Sequence, residues 1–252
     1  MDFSSKTVLI TGGSRGIGRA TAVMFARYGA EVVFSYEKNH EEAMTTLDKM
    51  SSGKHKAIQA SMEDPDQLKR MVDEIIEGYG KIDILVNNAG IYDIHPFTST
   101  SFDSWQRVWQ RTIAINLTGV AHLCWLVGHN MIERCGGAII NVTSRGAFRG
   151  EPEAPAYGAS KAAVNALSQS LAQALGRYNI AVIAIAPGFV ETDMAEEILL
   201  SPKGDAIRGE SPFNRVAEPE EVAHALCFAA QEKLKFLSGG IIDINGASFL
   251  RM

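Results

Sequence analysis

Residues 11–18 decide the fold: they run Thr11-Gly12-Gly13-Ser14-Arg15-Gly16-Ile17-Gly18 and join an apolar stretch, Thr7–Ile10, to a helical pattern that begins at residue 16. Glycine lets a strand turn sharply into a helix and leaves backbone N–H groups open. The first turn of that helix adds a partial positive charge, so the turn suits a pyrophosphate. The same glycines also suit a tight turn that only packs a helix on a sheet. The strand–turn–helix order favours the nucleotide interpretation.

Strand and helix patterns alternate along the rest of the chain. Strands are predicted at Thr7–Ile10, Glu31–Tyr36, Lys56–Ala60, Ile82–Val86, Ala138–Val142, Ala181–Ala186 and Gly240–Ile244. Helices are predicted near 16–29, 40–51, 65–79, 103–134, 156–178 and 219–231. This alternation predicts a Rossmann-type, doubly wound α/β fold, a parallel sheet of about seven strands with helices on both faces. We expect one domain over residues 1–252, in which the irregular stretch 191–216 forms a loop that acts as a substrate lid.

Composition narrows the class of protein. The chain has 252 residues, 46% of them hydrophobic, with 24 basic and 29 acidic side chains and a formal net charge of −5. These values favour a globular domain and disfavour nucleic acid as a partner. No apolar run approaches the roughly 18–20 residues that span a bilayer, so no membrane partner is expected. Three cysteines without metal or redox spacing favour a cytoplasmic location and no metal site.

Two further motifs extend the pattern of the glycine turn. Asn87-Asn88-Ala89-Gly90 follows the fourth predicted strand, and Pro187-Gly188-Phe189-Val190-Glu191-Thr192 follows the sixth. With glycines at positions 12, 16 and 18, the chain resembles the short-chain dehydrogenase/reductase family over essentially its whole length. The resemblance implies an NAD(P)(H) site made by Gly12, Ser14, Arg15, Gly16, Ile17, Gly18, Glu37, Ser61, Met62, Asn88, Ala89, Gly90, Tyr157, Lys161, Pro187, Gly188, Val190 and Thr192.

The same resemblance implies a catalytic tetrad. Tyr157 and Lys161 are four residues apart, on one face of a predicted helix, and Ser144 lies 13 residues before Tyr157. Together with Asn116 they match the family's Asn–Ser–Tyr–Lys set. The family roles make Tyr157 the proton donor or base, Lys161 its modulator and ribose ligand, Ser144 the holder of the substrate oxygen, and Asn116 the anchor of a water. Because a free phenol has a pKa near 10, we expect the ammonium of Lys161 to lower the pKa of Tyr157.

Other functions fit the sequence less well. A serine hydrolase needs a Gly-x-Ser-x-Gly elbow, which the glycine turn lacks. His122 and His129 are seven residues apart without a third ligand, so surface or interface roles are favoured over metal binding. A non-catalytic NAD(P)-sensing or scaffold protein is the alternative on the same fold. Such a protein typically lacks Tyr157 or Lys161, and both are present.

Departures from the family pattern bear on the cofactor. The second strand ends Ser35-Tyr36-Glu37, where members that prefer NAD often carry Asp at the Tyr36 position. Arg15 resembles the arginine of NADP-binding members, whereas Glu37 stands where some of them carry a basic residue. NADP(H) is therefore favoured, and NAD(H) stays open. Ser61-Met62 replaces the usual Asp-Val beside the adenine, which leaves only a hydroxyl contact.

The substrate is expected to be a small carbonyl compound or secondary alcohol. The closest resemblance is to 3-oxoacyl-(acyl carrier protein) reductases, which makes a 3-oxoacyl thioester one possibility. At the two positions that commonly bind the carrier stand Cys135 and Tyr178, with Arg134 and Arg177 one residue away, so docking of a carrier protein is left open.

Three segments are expected to line the substrate pocket, and two helices are expected to form an interface. The pocket walls are predicted at 91–97, 145–155 and 193–214, the last with Ile198, Leu199, Ile207 and Phe213, which indicates an apolar or mixed pocket. The side chains of Arg145 and Arg149 are expected to face solvent, with an anionic group as the alternative. The helices at 103–134 and 156–178 carry more apolar side chains than one core face needs. This excess predicts a homotetramer, with a dimer as second choice.

Overall fold

Seven strands form one sheet in the computed structural model, which describes residues 1–251. The strands are β1 (Thr7–Ile10), β2 (Glu31–Tyr36), β3 (Lys56–Gln59), β4 (Ile84–Asn87), β5 (Gly137–Val142), β6 (Ile180–Pro187) and β7 (Ile241–Ile244). All neighbouring strands are parallel, in the order β3-β2-β1-β4-β5-β6-β7. The predicted Rossmann-type fold is confirmed, with each strand boundary within two residues of its expected place.

Ten α-helices connect or flank these strands within the described residues. They are α1 (Gly16–Arg27), α2 (His40–Asp48), α3 (Pro65–Tyr79), α4 (Phe102–Ile113), α5 (Gly119–Glu133), α6 (Gly146–Arg149), α7 (Pro155–Leu175), α8 (Asp193–Leu200), α9 (Gly204–Gly209) and α10 (Pro219–Ala229). The long helix expected at 103–134 is interrupted by one π-helical turn, Ala114–Thr118, between α4 and α5. The expectation of a loop at 191–216 is wrong, because α8 and α9 lie within it.

The sheet buries both of its faces, as a parallel sheet must. Alternate residues of β1 point to opposite sides: Val8 and Ile10 pack on one face, and Leu9 packs on the other. Helices α1 and α10 pack on the first face, and α3, α5 and α7 cover the second. Because both faces are buried, the strands are apolar along nearly their whole length. This is why the strands could be predicted from the sequence.

The strand order reverses between β1 and β4, and there the loops leave the carboxyl ends in opposite directions. Such a switch point opens a crevice in which doubly wound sheets bind ligands. Here the crevice is a cleft of about 980 Å³. The two motifs identified in the sequence, at 11–18 and at 87–90, both lie at its edge, so the fold itself decides where the site lies.

One stretch of helix, Phe102–Glu133, is long and apolar enough by length and composition to cross a membrane. Half of its apolar window is buried inside the protein, where α5 packs against α3 and β4. Core helices of globular proteins pass the same test, so this stretch is weak evidence for a membrane span.

Candidate active site

The glycine turn leaves no room for side chains. Gly12 and Gly16 have φ values of +67° and +52°, a region that favours glycine. A Cβ on Gly18 would overlap the carbonyl oxygen of Gly12, and one on Gly16 would lie 3.1 Å from Cγ2 of Thr192. These close approaches form a cradle of bare backbone at the start of α1. The residues present therefore fit a dinucleotide pyrophosphate beside the helix N-terminus.

Asn88 and Thr11 fasten the turn to the end of β4. The Asn88 side-chain amide donates to the carbonyl oxygens of Thr11 and Gly12, at 2.9 and 3.2 Å. The Thr11 hydroxyl accepts from the backbone N–H groups of Asn88 and Ala89, at 3.0 and 2.9 Å. The Asn88 side chain thus shapes the cradle, a role in addition to the cofactor contact predicted for it.

Ser144, Tyr157 and Lys161 converge at the end of β5. Ser144 follows that strand, and its hydroxyl accepts from the N–H of Gly146 at 3.0 Å. The Lys161 ammonium donates to the carbonyl oxygen of Val142 at 2.8 Å and lies 5.7 Å from the Tyr157 ring centre. All three side chains line the cleft. The helical spacing of Tyr157 and Lys161 places both on the face of α7 that meets the sheet.

Burial dominates the ionisation of this group. It raises the pKa of Tyr157 to about 12, an effect that the Ser144 hydroxyl counteracts and the charge of Glu151 reinforces. Burial also lowers the pKa of Lys161 to about 8. The expectation of a pKa below the usual value for this phenol is therefore wrong. Desolvation of the phenolate is the dominant effect on the pKa of Tyr157.

Asn116 lies in the π-helical turn and is fully buried. Its side chain makes a paired contact with Ile91, accepting from the backbone N–H at 2.9 Å and donating to the carbonyl oxygen at 3.0 Å. A Cβ on Gly90 would lie 3.3 Å from the Asn116 Oδ1 and 3.4 Å from the Lys161 Nζ. The structure thus brings Asn116 beside Lys161, at the point where β4 leads into the cleft.

The second strand ends in a mixed charge environment. Glu37 lies 3.7 Å from the ammonium of Lys38, which lines the same cleft and is 80% exposed. Arg15 forms an ion pair of 3.3 Å with Asp193 at the start of α8. The buried Tyr36 ring places its hydroxyl 2.9 Å from the Nδ1 of His40. Sequence reasoning missed Lys38, although it is the residue next to Glu37.

The remaining predicted cofactor residues also lie on the cleft. Ser61 and the buried Met62 follow β3, and the Ser61 hydroxyl accepts from the N–H of Glu63 at 3.2 Å. Val190 pairs with Ala217 in an isolated bridge, and the Thr192 hydroxyl donates to the Val190 carbonyl oxygen at 3.3 Å. The structure brings together all the residues predicted for the cofactor, which are Gly12, Ser14, Arg15, Gly16, Ile17, Gly18, Glu37, Ser61, Met62, Asn88, Ala89, Gly90, Tyr157, Lys161, Pro187, Gly188, Val190 and Thr192.

Arg145 does not face solvent, contrary to the prediction. Its side chain is only 4% exposed and forms an ion pair of 2.5 Å with Glu210, which follows α9. It also donates to the Ser248 hydroxyl at 2.5 Å, and its guanidinium lies 5.0 Å from the ring centre of Phe189. Arg145 therefore joins the end of β5 to the residue after α9 and to the C-terminal segment. The sequence holds no local signal for this, because its partners are tens of residues away.

The substrate end of the cleft is only partly as predicted. Apolar side chains from the loop after β4 and from α8 line it, and these are Ile91, Ile94, Met194 and Ile198. Leu199, Ile207 and Phe213, which were expected in the wall, are not among the lining residues. Tyr92, Glu151 and Glu153 do line the cleft. Within residues 1–251, no group of three or more His, Cys, Asp or Glu is placed to hold a metal ion.

Comparison with known proteins agrees with this geometry. The family model for short chain dehydrogenase matches residues 6–202. The 3-oxoacyl-(acyl-carrier-protein) reductase FabG of Thermotoga maritima is 35% identical over 247 residues, covering 98% of each chain. A 3alpha-hydroxysteroid dehydrogenase of Mediterraneibacter gnavus is 36% identical over 259 residues, again covering 98% of each. A crystal structure of a dehydrogenase/reductase from Sinorhizobium meliloti 1021 superposes with a TM-score of 0.89 at 29% identity, covering 99% of this chain and 97% of the other.

The chain belongs to the short-chain dehydrogenase/reductase family. It is an NAD(P)-dependent oxidoreductase, which confirms the prediction of an enzyme over that of a non-catalytic scaffold.

Proposed function

We propose that this enzyme interconverts a ketone and a secondary alcohol in the cleft at the carboxyl ends of β1, β4 and β5, with Tyr157 as the acid–base group. The observation that carries the proposal is the convergence of Tyr157, Ser144 and Lys161 beside a bare-backbone cradle. A bound nicotinamide nucleotide would supply or accept the hydride at carbon.

The chain's own groups then have to move a proton and hold an oxygen. In reduction, the Tyr157 hydroxyl donates its proton to the carbonyl oxygen, and a pKa of about 12 keeps it protonated beforehand. The Ser144 hydroxyl donates a hydrogen bond to the same oxygen as negative charge develops there. Lys161 favours the phenolate once the proton has left. Asn116 holds the backbone at Ile91 beside Lys161 and, in the role that the family implies, anchors a water for reprotonation.

Substitution of Tyr157 tests the proposal. Tyr157→Phe removes only the hydroxyl, so turnover is expected to fall by at least about 100-fold, with nucleotide affinity close to that of the wild type. Lys161→Ala is expected to damage both turnover and nucleotide affinity. Nucleotide binding is measured by fluorescence titration and turnover by absorbance at the nicotinamide band. Wild-type turnover by Tyr157→Phe would remove this residue from the mechanism.

We further propose a preference for NADP(H). Arg15 and Lys38 both lie at the edge of the cleft beside the end of β2, and charge-assisted bonds to a 2′-phosphate are worth about 1.5–3 kcal/mol each. Glu37 opposes them, but Lys38 offsets its charge at 3.7 Å. Arg15→Ala and Lys38→Ala are each expected to weaken NADPH binding more than NADH binding. Tighter binding of NADH by the wild type would show that Glu37 sets the preference.

The remaining parts of the proposal concern substrate, assembly and location. One domain carries the function, and α8 and α9 form its lid. A 3-oxoacyl thioester is one candidate substrate, supported by the similarity to the Thermotoga maritima enzyme. Delivery by a carrier protein has weaker support, because Arg177 bonds to the Tyr178 hydroxyl at 2.8 Å. The exposed Trp125 of α5 supports a homotetramer, and the three free cysteines support a cytoplasmic location.

A further inference from the structure

Glu151 is a carboxylate on the cleft wall that the proposed mechanism does not use. It follows α6 and packs against two glycines, Gly146 and Gly158. A Cβ on Gly146 would overlap the Glu151 carboxylate, and one on Gly158 would lie 3.5 Å from the Glu151 Cβ and Cγ. Gly146 lies two residues after Ser144, and Gly158 follows Tyr157. Glu151 is therefore held in place beside both groups that would contact the reacting oxygen.

The carboxylate of Glu151 is not neutralised by an ion pair. Among the described residues, no basic nitrogen lies within 4.0 Å of it. The two nearby arginines are engaged elsewhere: Glu210 pairs with Arg145 at 2.5 Å and with Arg149 at 3.4 Å. Both arginines still attract the negative charge of Glu151 from a distance, but burial outweighs them and raises the pKa of this carboxyl. The Glu151 carboxylate is thus a partly buried hydrogen-bond acceptor without a charged partner within 4.0 Å in residues 1–251.

Tyr92 completes the environment of this carboxylate. Its ring packs edge-on against that of Tyr157, with centres 4.9 Å apart. Burial and the nearby negative charge of Glu151 raise the pKa of Tyr92 to about 12, so this phenol stays protonated at neutral pH. A carboxylate has about four lone-pair sites, more than one phenol can occupy. Glu151 lines the cleft, where the apolar side chains of Ile91 and Ile94 also form part of the wall.

We infer that Glu151 selects a substrate that carries a neutral hydrogen-bond donor, a hydroxyl group, near its reacting carbonyl. This inference rests on the proposed function. A buried acceptor that is left unpaired disfavours an analogue without the hydroxyl. Its negative charge also disfavours a substrate with a carboxylate in the same place. A hydroxyketone with an apolar body therefore fits the cleft better than a keto acid or a simple acyl thioester, which offers only acceptors.

Matched cyclic ketones test this inference with the full-length enzyme and NADPH. We compare cyclohexanone with 2-, 3- and 4-hydroxycyclohexanone, with 4-oxocyclohexanecarboxylate and with an acetoacetyl thioester. The wild type is expected to prefer one hydroxycyclohexanone over cyclohexanone by about tenfold or more in kcat/KM, and the keto acid is expected to be the poorest cyclic ketone. The position of the preferred hydroxyl reports its distance from the reacting carbon.

Variants of Glu151 connect that preference to this residue. Glu151→Leu is expected to reduce the hydroxyl preference to near one. Glu151→Gln keeps an acceptor without the charge, so it is expected to retain part of the hydroxyl preference and to raise the relative kcat/KM for the keto acid. Glu77→Gln removes the charge of an exposed carboxylate outside the cleft and is the matched control. Thermal unfolding and NADPH titration establish that each variant is folded.

The outcomes separate this inference from the proposed function. If the wild type reduces ketones but Glu151→Gln and Glu151→Leu keep its substrate ratios, the assignment of Glu151 is overturned. A wild-type preference for the thioester or the keto acid over every hydroxyketone also overturns it. If no ketone or alcohol reacts with either nucleotide, the proposed function itself fails. A reduced hydroxyl preference and a higher relative kcat/KM for the keto acid in Glu151→Gln, with neither change in Glu77→Gln, support the inference even if Glu151→Leu does not fold.

Discussion

Removal of the Glu210 carboxylate should expose the energetic role of the buried arginine. The Arg145 side chain is 4% exposed, and Glu210 is its charged partner at 2.5 Å. In Glu210→Ala the guanidinium keeps its bond to Ser248 and its contact with Phe189 but loses the opposite charge. Breaking a fully buried ion pair costs about 3–5 kcal/mol.

The expected cost is smaller here, because Glu210 is itself 32% exposed and water can reach the vacated position. We therefore expect a loss of about 2 kcal/mol in the free energy of unfolding. For a chain of this size, that corresponds to a fall in Tm of about 4–8 °C. Helix α9 should loosen at the same time, since Glu210 directly follows it. Faster trypsin cleavage at Lys203 and Arg208 would report this loosening.

Differential scanning calorimetry of three variants tests the estimate. Arg149→Ala removes only the longer contact to Glu210, 3.4 Å at a half-buried side chain, and should lower Tm by no more than about 2 °C. The double variant Arg145→Met/Glu210→Met removes both charges and should recover part of the loss. Equal Tm values for Glu210→Ala and Arg149→Ala would refute the argument, because the buried contact would then contribute no more than the exposed one.

Three further perturbations have definite expected results. Gly18→Ala forces a Cβ into the Gly12 carbonyl oxygen, so it should weaken nucleotide binding at least about tenfold and lower the free energy of unfolding by about 1–3 kcal/mol. The control Gly78→Ala, with no atom within 4 Å of the added carbon, should be neutral or stabilising in calorimetry. Equal effects of the two variants would contradict the close approach at Gly18. Between pH 8 and 10.5, Lys161 is protonated in the unfolded chain but has lost its proton in the folded protein. The contribution of Lys161 to the free energy of unfolding therefore rises with pH through that window. Lys161→Met should abolish this rise in unfolding titrations, and an unchanged slope would show that Lys161 is not desolvated. Trp125 is 62% exposed on α5, so Trp125→Glu should shift a tetramer to smaller species in light scattering, and a monomeric wild type would contradict the proposed assembly.

Local patterns in the sequence determined the sheet and the edge of the site. Strands buried on both faces are apolar along their length, so β1, β5 and β6 could be predicted from the sequence without any tertiary information. The glycines at 12, 16 and 18 occur where the backbone leaves no room for side chains. The four-residue spacing of Tyr157 and Lys161 predicts that both lie on one helix face. These constraints act within a few residues, which is why sequence reasoning recovers them.

Only the tertiary structure decided what depends on distant partners. Arg145 looks like an exposed arginine in the sequence, yet it is buried because Glu210 and Ser248 fold back over it. The pKa of Tyr157 rises to about 12 rather than falling, because desolvation depends on all the atoms packed around the phenol. Lys38 lacked a recognisable motif and was identified only as lining of the cleft, and Glu151 lay within the predicted wall at 145–155 without a predicted role. Burial and charge pairing are properties of the packed chain, and neither is encoded in the spacing of neighbouring residues.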